Sequence, residues 1–220
     1  MTIGSRVQVV YRQARYFFKH VATSKSSNKR YTRSTVSDEK WEQRDQGRIR
    51  ASQYRSTQLA PYQMVFPDAT AVDYGRKLHQ DGSQAAGNCK EMSCLAAYLF
   101  SLSAPRIPVY LLVLAEPADH AFLVAGALPT GVNRPGNRVD ELGTLFGSTS
   151  DAWAVDIWAG ICCPIDEYPV EFWKKMVKWS KKGKEVMFNN QWQLPGKMGY
   201  LKAHLAAGFR VQRVDAPLHS

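Results

Sequence analysis

The stretch that most limits how this chain can fold is the helix start at Asn88-Cys89-Lys90-Glu91, with the apolar spacing behind it. Asn88 has the short polar side chain of an N-cap, and Glu91 stands three positions on, where a capping-box acid belongs. Met92, Leu95, Ala96, Leu99 and Leu102 then recur at helical spacing, so this helix must bury one face. The pattern predicts a helix from 89 to about 103, stopped by Pro105. It also sets Cys89 in the first turn, among unpaired backbone N–H groups and the positive end of the helix dipole. Such a site favours thiolate, the nucleophilic form of a cysteine. For a lone cysteine, a buried structural role is the default, so the rest of the chain has to decide.

Three apolar runs rich in strand-forming residues, 107–114, 120–126 and 152–159, predict strands around that helix. Further helices are expected at 71–80, at 169–180 with Phe172, Trp173, Met176, Val177 and Trp179 on its apolar side, and at 195–207, closed by Gly208. A last strand is expected at 209–214. The segment 61–73 reads as irregular or as a short strand, and 128–150, with two Pro and four Gly, as a long surface loop. The fold class is therefore α+β, a nucleophile helix packed on an antiparallel sheet.

Charge divides the chain. The net charge is +10, but residues 1–60 hold 13 Lys/Arg against 4 Asp/Glu, and 61–220 hold 16 against 15. The basic balance belongs to the N-terminal segment and not to a nucleic-acid-binding face. Residues 1–60 are read as a flexible basic tail, with 22–55 loosely held, and 61–220 as the globular domain. Within the tail, Val7, Val10, Tyr11, Ala14, Phe18 and Val21 fall on one helical face. Three readings stand for 1–21: a helix packed on the domain, a helix docked on anionic membrane or a partner, and an export signal held by a secretion chaperone. No run reaches membrane-spanning length, and the first residues lack the apolar stretch of a secretory signal. The four cysteines, two of them adjacent at 162 and 163, have no framework or C-x-x-C spacing, which predicts reduced thiols and no metal site.

A nucleophilic cysteine needs a base, and the base needs an orienting group. His120 opens one predicted strand and Asp156 lies within another. Neighbouring antiparallel strands would set the two side by side, facing the helix N-terminus. Gly-Asn-Cys-x-Glu opening a helix, Asp-His-Ala-Phe entering a strand and Val-Asp-x-Trp in a later strand resemble the transglutaminase-like, papain-related Cys-His-Asp core of bacterial toxins and translocated effectors. The resemblance covers roughly residues 85–160. It implies Cys89 as nucleophile, His120 as general base and acid, and Asp156 as orienter; the long 128–150 segment between His and Asp departs from the pattern. Gln84 upstream of the cysteine is a candidate oxyanion donor, beside the Cys89 and Asn88 end of the helix. Trp158, two residues beyond Asp156, would share its face and shield the Asp–His bond. Cys94, Cys162, Cys163, Tyr168 and the tryptophans at 173, 179 and 192 are assigned to packing, and His20, His79, His204 and His219 have no chemical context in the sequence.

The shared acyl-enzyme leaves the reaction open. Ammonia leaving from Gln or Asn makes a deamidase, an entering amine a transglutaminase, and a peptide leaving group a protease. The resemblance and the acid-poor N-terminus imply a secreted effector that deamidates a host protein in the host cytoplasm, with no cofactor. A non-catalytic adaptor on a dead triad, or a cytoplasmic enzyme, remain the alternatives.

Overall fold

The computed structural model describes residues 2–22, 26–103, 106–132, 134, 136–147 and 151–215. The architecture is α+β. Helix α1 (Ile3–Tyr16) continues into a wider π turn, Phe17–Val21, and a short strand β1 (Lys29–Tyr31) leads to α2 (Asp38–Tyr54), α3 (Ala60–Val65) and α4 (Ala71–Asp81). Helix α5 (Cys89–Ser101) follows, then β2 (Val109–Leu114), β3 (Ala121–Ala125), α6 (Leu142–Phe146), β4 (Trp153–Asp156) and β5 (Ile161–Pro164). The chain ends with α7 (Tyr168–Lys181), β6 (Lys184–Phe188), β7 (Gln191–Gln193), α8 (Met198–Leu205) and β8 (Phe209–Arg213).

One sheet orders its strands β5-β4-β3-β2-β8, each pair antiparallel; a second, smaller sheet runs β1-β6-β7. Strand β3 lies at the centre of the larger sheet and all five of its residues are buried. That is why 120–126 reads as a continuous apolar run and not as an alternation. Helix α5 lies against this sheet and against α4. Gly75 allows the close approach of the two helices: a Cβ there would collide with the carbonyl of Cys94. Gly87 serves the helix start in the same way, since a Cβ there would meet the Glu91 side chain.

The N-terminal 60 residues are not a loose tail. Helix α1 packs on α5, β4 and β5 with Val7, Val10 and Ala14 buried, followed by Phe17 and Phe18. The packed-helix reading of this face matches the structure, although Val21 is exposed. The expectation of a loosely held 22–55 is corrected by β1 and α2. Helix α2 escaped notice because only Ala51 and Tyr54 are buried along it. Its anchors are polar and aromatic: Trp41 Nε1 donates to the Tyr31 carbonyl at 3.0 Å, and the Arg48 guanidinium lies 5.7 Å from the Trp192 ring. Such contacts leave no helical stripe in the sequence.

Two other expectations change. Residues 61–73 hold most of α3 and the start of α4 rather than a strand. The expected 128–150 loop contains a 3₁₀ turn, Val139–Glu141, and α6, with Val139 and Leu142 fully buried. Cys162 and Cys163 lie within strand β5. The β6–β7 hairpin was missed; its signal was Asn189-Asn190, which both take positive φ as a two-residue hairpin turn demands. Pro105, His219 and parts of 128–150 lie outside the described residues.

Candidate active site

Helix α5 begins at Cys89, and Asn88 takes the extended conformation of an N-cap. The Glu91 carboxylate accepts from the Asn88 N–H at 2.8 Å and pairs with Arg55 at 3.0 Å, so the first turn is fixed from two sides. His120 stands one residue before β3. The turn that delivers it exits through Asp119 at φ +36°, a left-handed conformation that Asp tolerates better than most residues. Asp156 ends β4. The antiparallel register Leu123↔Val155 carries the N-terminal end of β3 alongside the C-terminal end of β4, so His120 and Asp156 meet over the start of α5.

His120 Nε2 and the Asp156 Oδ2 lie 2.8 Å apart. That leaves Nδ1 for the thiol, and Cys89 is near enough to the imidazole to help raise its pKa. The sulfur also lies 3.9 Å from the Asp119 carbonyl oxygen. Asp156 is fully buried and every contact neutralises or donates to it: Oδ1 accepts from the Ala159 N–H at 2.7 Å, and Oδ2 accepts from the Tyr168 hydroxyl at 3.0 Å as well as from His120. Burial alone would raise the pKa of this carboxyl, but the His120 charge and these donors hold it below its ordinary value. Burial would likewise lower the pKa of the imidazole, yet the Asp156 charge and hydrogen bond, together with Cys89, raise it to about 10. An imidazolium held next to a sulfur is the environment that a nucleophilic thiolate requires.

Trp158 covers the pair, its ring 5.1 Å from His120. It also binds the N-terminal segment, as its Nε1 donates to Asn28 Oδ1 at 2.8 Å. Asn88 does the same from the helix side: its Oδ1 accepts from Ser26 Oγ at 2.9 Å and from the Ser27 N–H at 3.0 Å. Residues 26–28 thus bridge Asn88 and Trp158 across the site, and Cys89 is 6% and His120 2% exposed. Gln84 lies exposed in the 3₁₀ turn Gly82–Gln84, upstream of the helix start.

Read from the residues alone, His204 has no chemical context and Tyr168 is a packing residue. Both belong to the site. Tyr168 donates to Asp156, as above, and burial and the adjacent carboxylate hold its hydroxyl well above the ordinary pKa, so it remains a donor. His204 lies 4.9 Å from the His120 ring and stacks on Phe172 at 3.8 Å, with neither ring nitrogen hydrogen-bonded among the described residues. Burial, then the His120 charge, push its pKa well down, so it sits there neutral. A histidine at helical spacing on α8 gives no hint of this, since only the crossing of α8 over α7 creates the neighbourhood. Among the described residues, no group of three or more His, Cys, Asp or Glu is placed to hold a metal ion.

No family model, no curated protein and no solved structure matches the chain. No helix among the described residues is long and apolar enough to cross a membrane.

Proposed function

We propose that this chain is a thiol hydrolase that attacks a carboxamide or peptide carbonyl through an acyl-enzyme, with a papain/transglutaminase-like core. The observation that carries the proposal is the meeting of Cys89, His120 and Asp156 at the N-terminus of α5. The Cys89 sulfur adds to the carbonyl carbon while its proton resides on His120 Nδ1. The tetrahedral oxyanion faces the free N–H groups of the first turn of α5. Collapse expels ammonia or an amine, which takes the proton from His120 and leaves a thioester on Cys89. Water then attacks, gives its proton to His120 and releases the acid, with Asp156 holding the imidazole throughout.

Deamidation of a Gln or Asn side chain of a host protein is the first choice, supported by the motif order that resembles translocated effectors. Proteolysis and transglutamination use the same intermediate. In the effector reading, a secretion chaperone or anionic membrane would meet residues 1–21 only after α1 leaves α5. Intact mass of proteins in a eukaryotic cytosolic extract separates the reactions, because one acyl-enzyme gives a gain of about one dalton per deamidated site, fragments, or adducts. Cys89→Ala must abolish the change while the fold persists; activity surviving in that variant removes the reading.

The burial of the sulfur, beside the bridge that 26–28 make between Asn88 and Trp158, favours one second reading, an adaptor on a catalytically silent scaffold. Iodoacetamide decides between them: slow, equal labelling of all four cysteines supports the adaptor, and preferential labelling of Cys89 supports the hydrolase.

A further inference from the structure

Beside the catalytic pair, and separated from it by Trp158, lies a cleft of about 450 Å³ whose charged lining is entirely basic. Arg15 and Lys19 come from the α1 region, Lys29 from β1, and Lys175, Lys178 and Lys182 from α7 and its end; Lys184 of β6 joins them. No Asp or Glu lines it. Among the described residues, none of the first six forms an ion pair with a carboxylate.

Two of these lysines are fixed inside the cleft wall and do not wave in solvent. Lys29 Nζ donates to the Trp158 carbonyl at 2.9 Å and lies 4.6 Å from the Trp158 ring centroid. Lys175 Nζ donates to the Gly160 carbonyl at 2.9 Å. Each ammonium uses one donor on a carbonyl and has others to offer. Their charges conflict with their surroundings. Burial first, then Lys184 and Arg15, push the Lys29 pKa well down, and burial, then Arg15 and Lys178, lower that of Lys175, with the Asp156 carboxylate opposing both only in part. Chains normally disperse like charges or pair them; holding cations from three distant segments around one cavity is a standing cost that an anion would offset.

We propose that this cleft binds a small ligand carrying several phosphate groups. A single carboxylate would leave most of the donors unused, whereas vicinal or linked phosphates present many acceptor oxygens to donors arranged around them. The volume suits a small molecule and not a duplex. The indole walls, Trp158 and Trp179, close it from the sides and give it an aromatic surface for a base or ring. Through Lys29, the ligand would touch the same segment that bridges Asn88 and Trp158, but binding itself does not depend on the proposed chemistry.

The test is calorimetry with inorganic tripolyphosphate on the full chain at about 0.15 M salt. One saturable site per chain is expected. The exposed Lys178 and Lys182 can be changed without touching the core, and the double variant Lys178→Gln/Lys182→Gln should bind at least about tenfold more weakly. Lys202→Gln, basic but on α8, should bind as the parent does, and so should Cys89→Ala. Absence of a saturable site in the parent chain overturns the proposal. So does equal affinity in the double variant and Lys202→Gln. A single-stranded RNA that binds through the same lysines more tightly than tripolyphosphate replaces the small ligand with a nucleic acid and also refutes it.

Discussion

Replacing Asp156 with Asn tests the site through its electrostatics and requires no substrate. The carboxylate accepts three hydrogen bonds in a fully buried setting, and one of its partners is charged. The amide keeps one oxygen for the Ala159 N–H but removes the charge that sustains the imidazolium. Breaking a buried, hydrogen-bonded pair from one side costs about 3–5 kcal/mol. The sign with pH follows from the two shifts. An imidazole whose pKa rises on folding, from 6.5 to about 10, contributes stability that is fully present below 6.5 and lost as pH climbs through about 10. The carboxyl, lowered from 3.8, contributes stability that is present above that value and lost on acidification. The deficit of Asp156→Asn should therefore be widest between those two reference values. Near pH 10 it should shrink toward about 1.5–3 kcal/mol, the worth of the lost hydrogen bond from the Tyr168 hydroxyl to the carboxylate. Urea unfolding of both proteins at pH 6 and pH 10, followed by tryptophan fluorescence, measures the gap, and groups that do not sense Asp156 cancel in the difference. A gap of the same size at both pH values would show that no imidazolium is stored in the fold, and the nucleophile argument would fail with it.

Other outcomes follow from the same contacts. Iodoacetamide should modify Cys89 ahead of the other three cysteines, since burial pushes Cys94 and Cys162 up to about 12 and raises Cys163 further; peptide mapping reads the order. His204→Phe should remove an acid sensitivity. A histidine kept neutral in the fold contributes stability present above 6.5 and lost as pH falls, with a slope approaching about 1.4 kcal/mol per pH unit, so Tm measured at pH 5 and pH 7 should differ less in the variant. Gly75→Ala should destabilise by about 1–3 kcal/mol, because the new methyl meets the backbone carbonyl of Cys94; a Tm lowered by roughly 2–12 °C is the expected reading.

Local signals carried the site and tertiary ones did not. Asn88 and Glu91 mark a helix start because capping is written within four residues, and α5 begins at Cys89 as that spacing requires. The strands of His120 and Asp156 were legible as apolar runs, and their pairing follows once β3 and β4 are neighbours. What escaped depends on groups far apart in sequence. The hydroxyl of Tyr168 reaches Asp156 only because β5 returns the chain beside β4. Residues 26–28 look like ordinary linker, yet their backbone N–H groups and hydroxyls find Asn88 sixty residues away. Helix α2 has no apolar stripe to read, because cation–π and indole hydrogen bonds hold it.

The cover over Cys89 bears on how any reactivity should be measured. Asn28 is its pivot: its N–H lies 3.3 Å from Asn88 Oδ1, and its own Oδ1 accepts from Trp158 Nε1 and lies 2.6 Å from Ser26 Oγ, whose one hydroxyl proton serves either asparagine. Downstream the segment is held in place by strand β1, whose pairing with β6 does not involve the site. Opening leaves the β1–β6 ladder in place and requires parting from Asn88 and Trp158, against the Met187 N–H of β6 that also holds the Asn28 carbonyl at 3.1 Å. The donors crowd one Asn88 oxygen with two lone pairs, so about three effective bonds are at stake, worth roughly 2–5 kcal/mol together. That sets the open fraction at about one in thirty to one in several thousand. A nucleophilic Cys89 would then label slowly in absolute terms while still outrunning Cys94, Cys162 and Cys163, which have no such gate. Asn28→Ala removes the pivot and should speed labelling of Cys89 by tenfold or more, without changing the rates at the other three. An equal rise at all four would mean general loosening, and no change at Cys89 would mean that residues 26–28 do not control access to the sulfur.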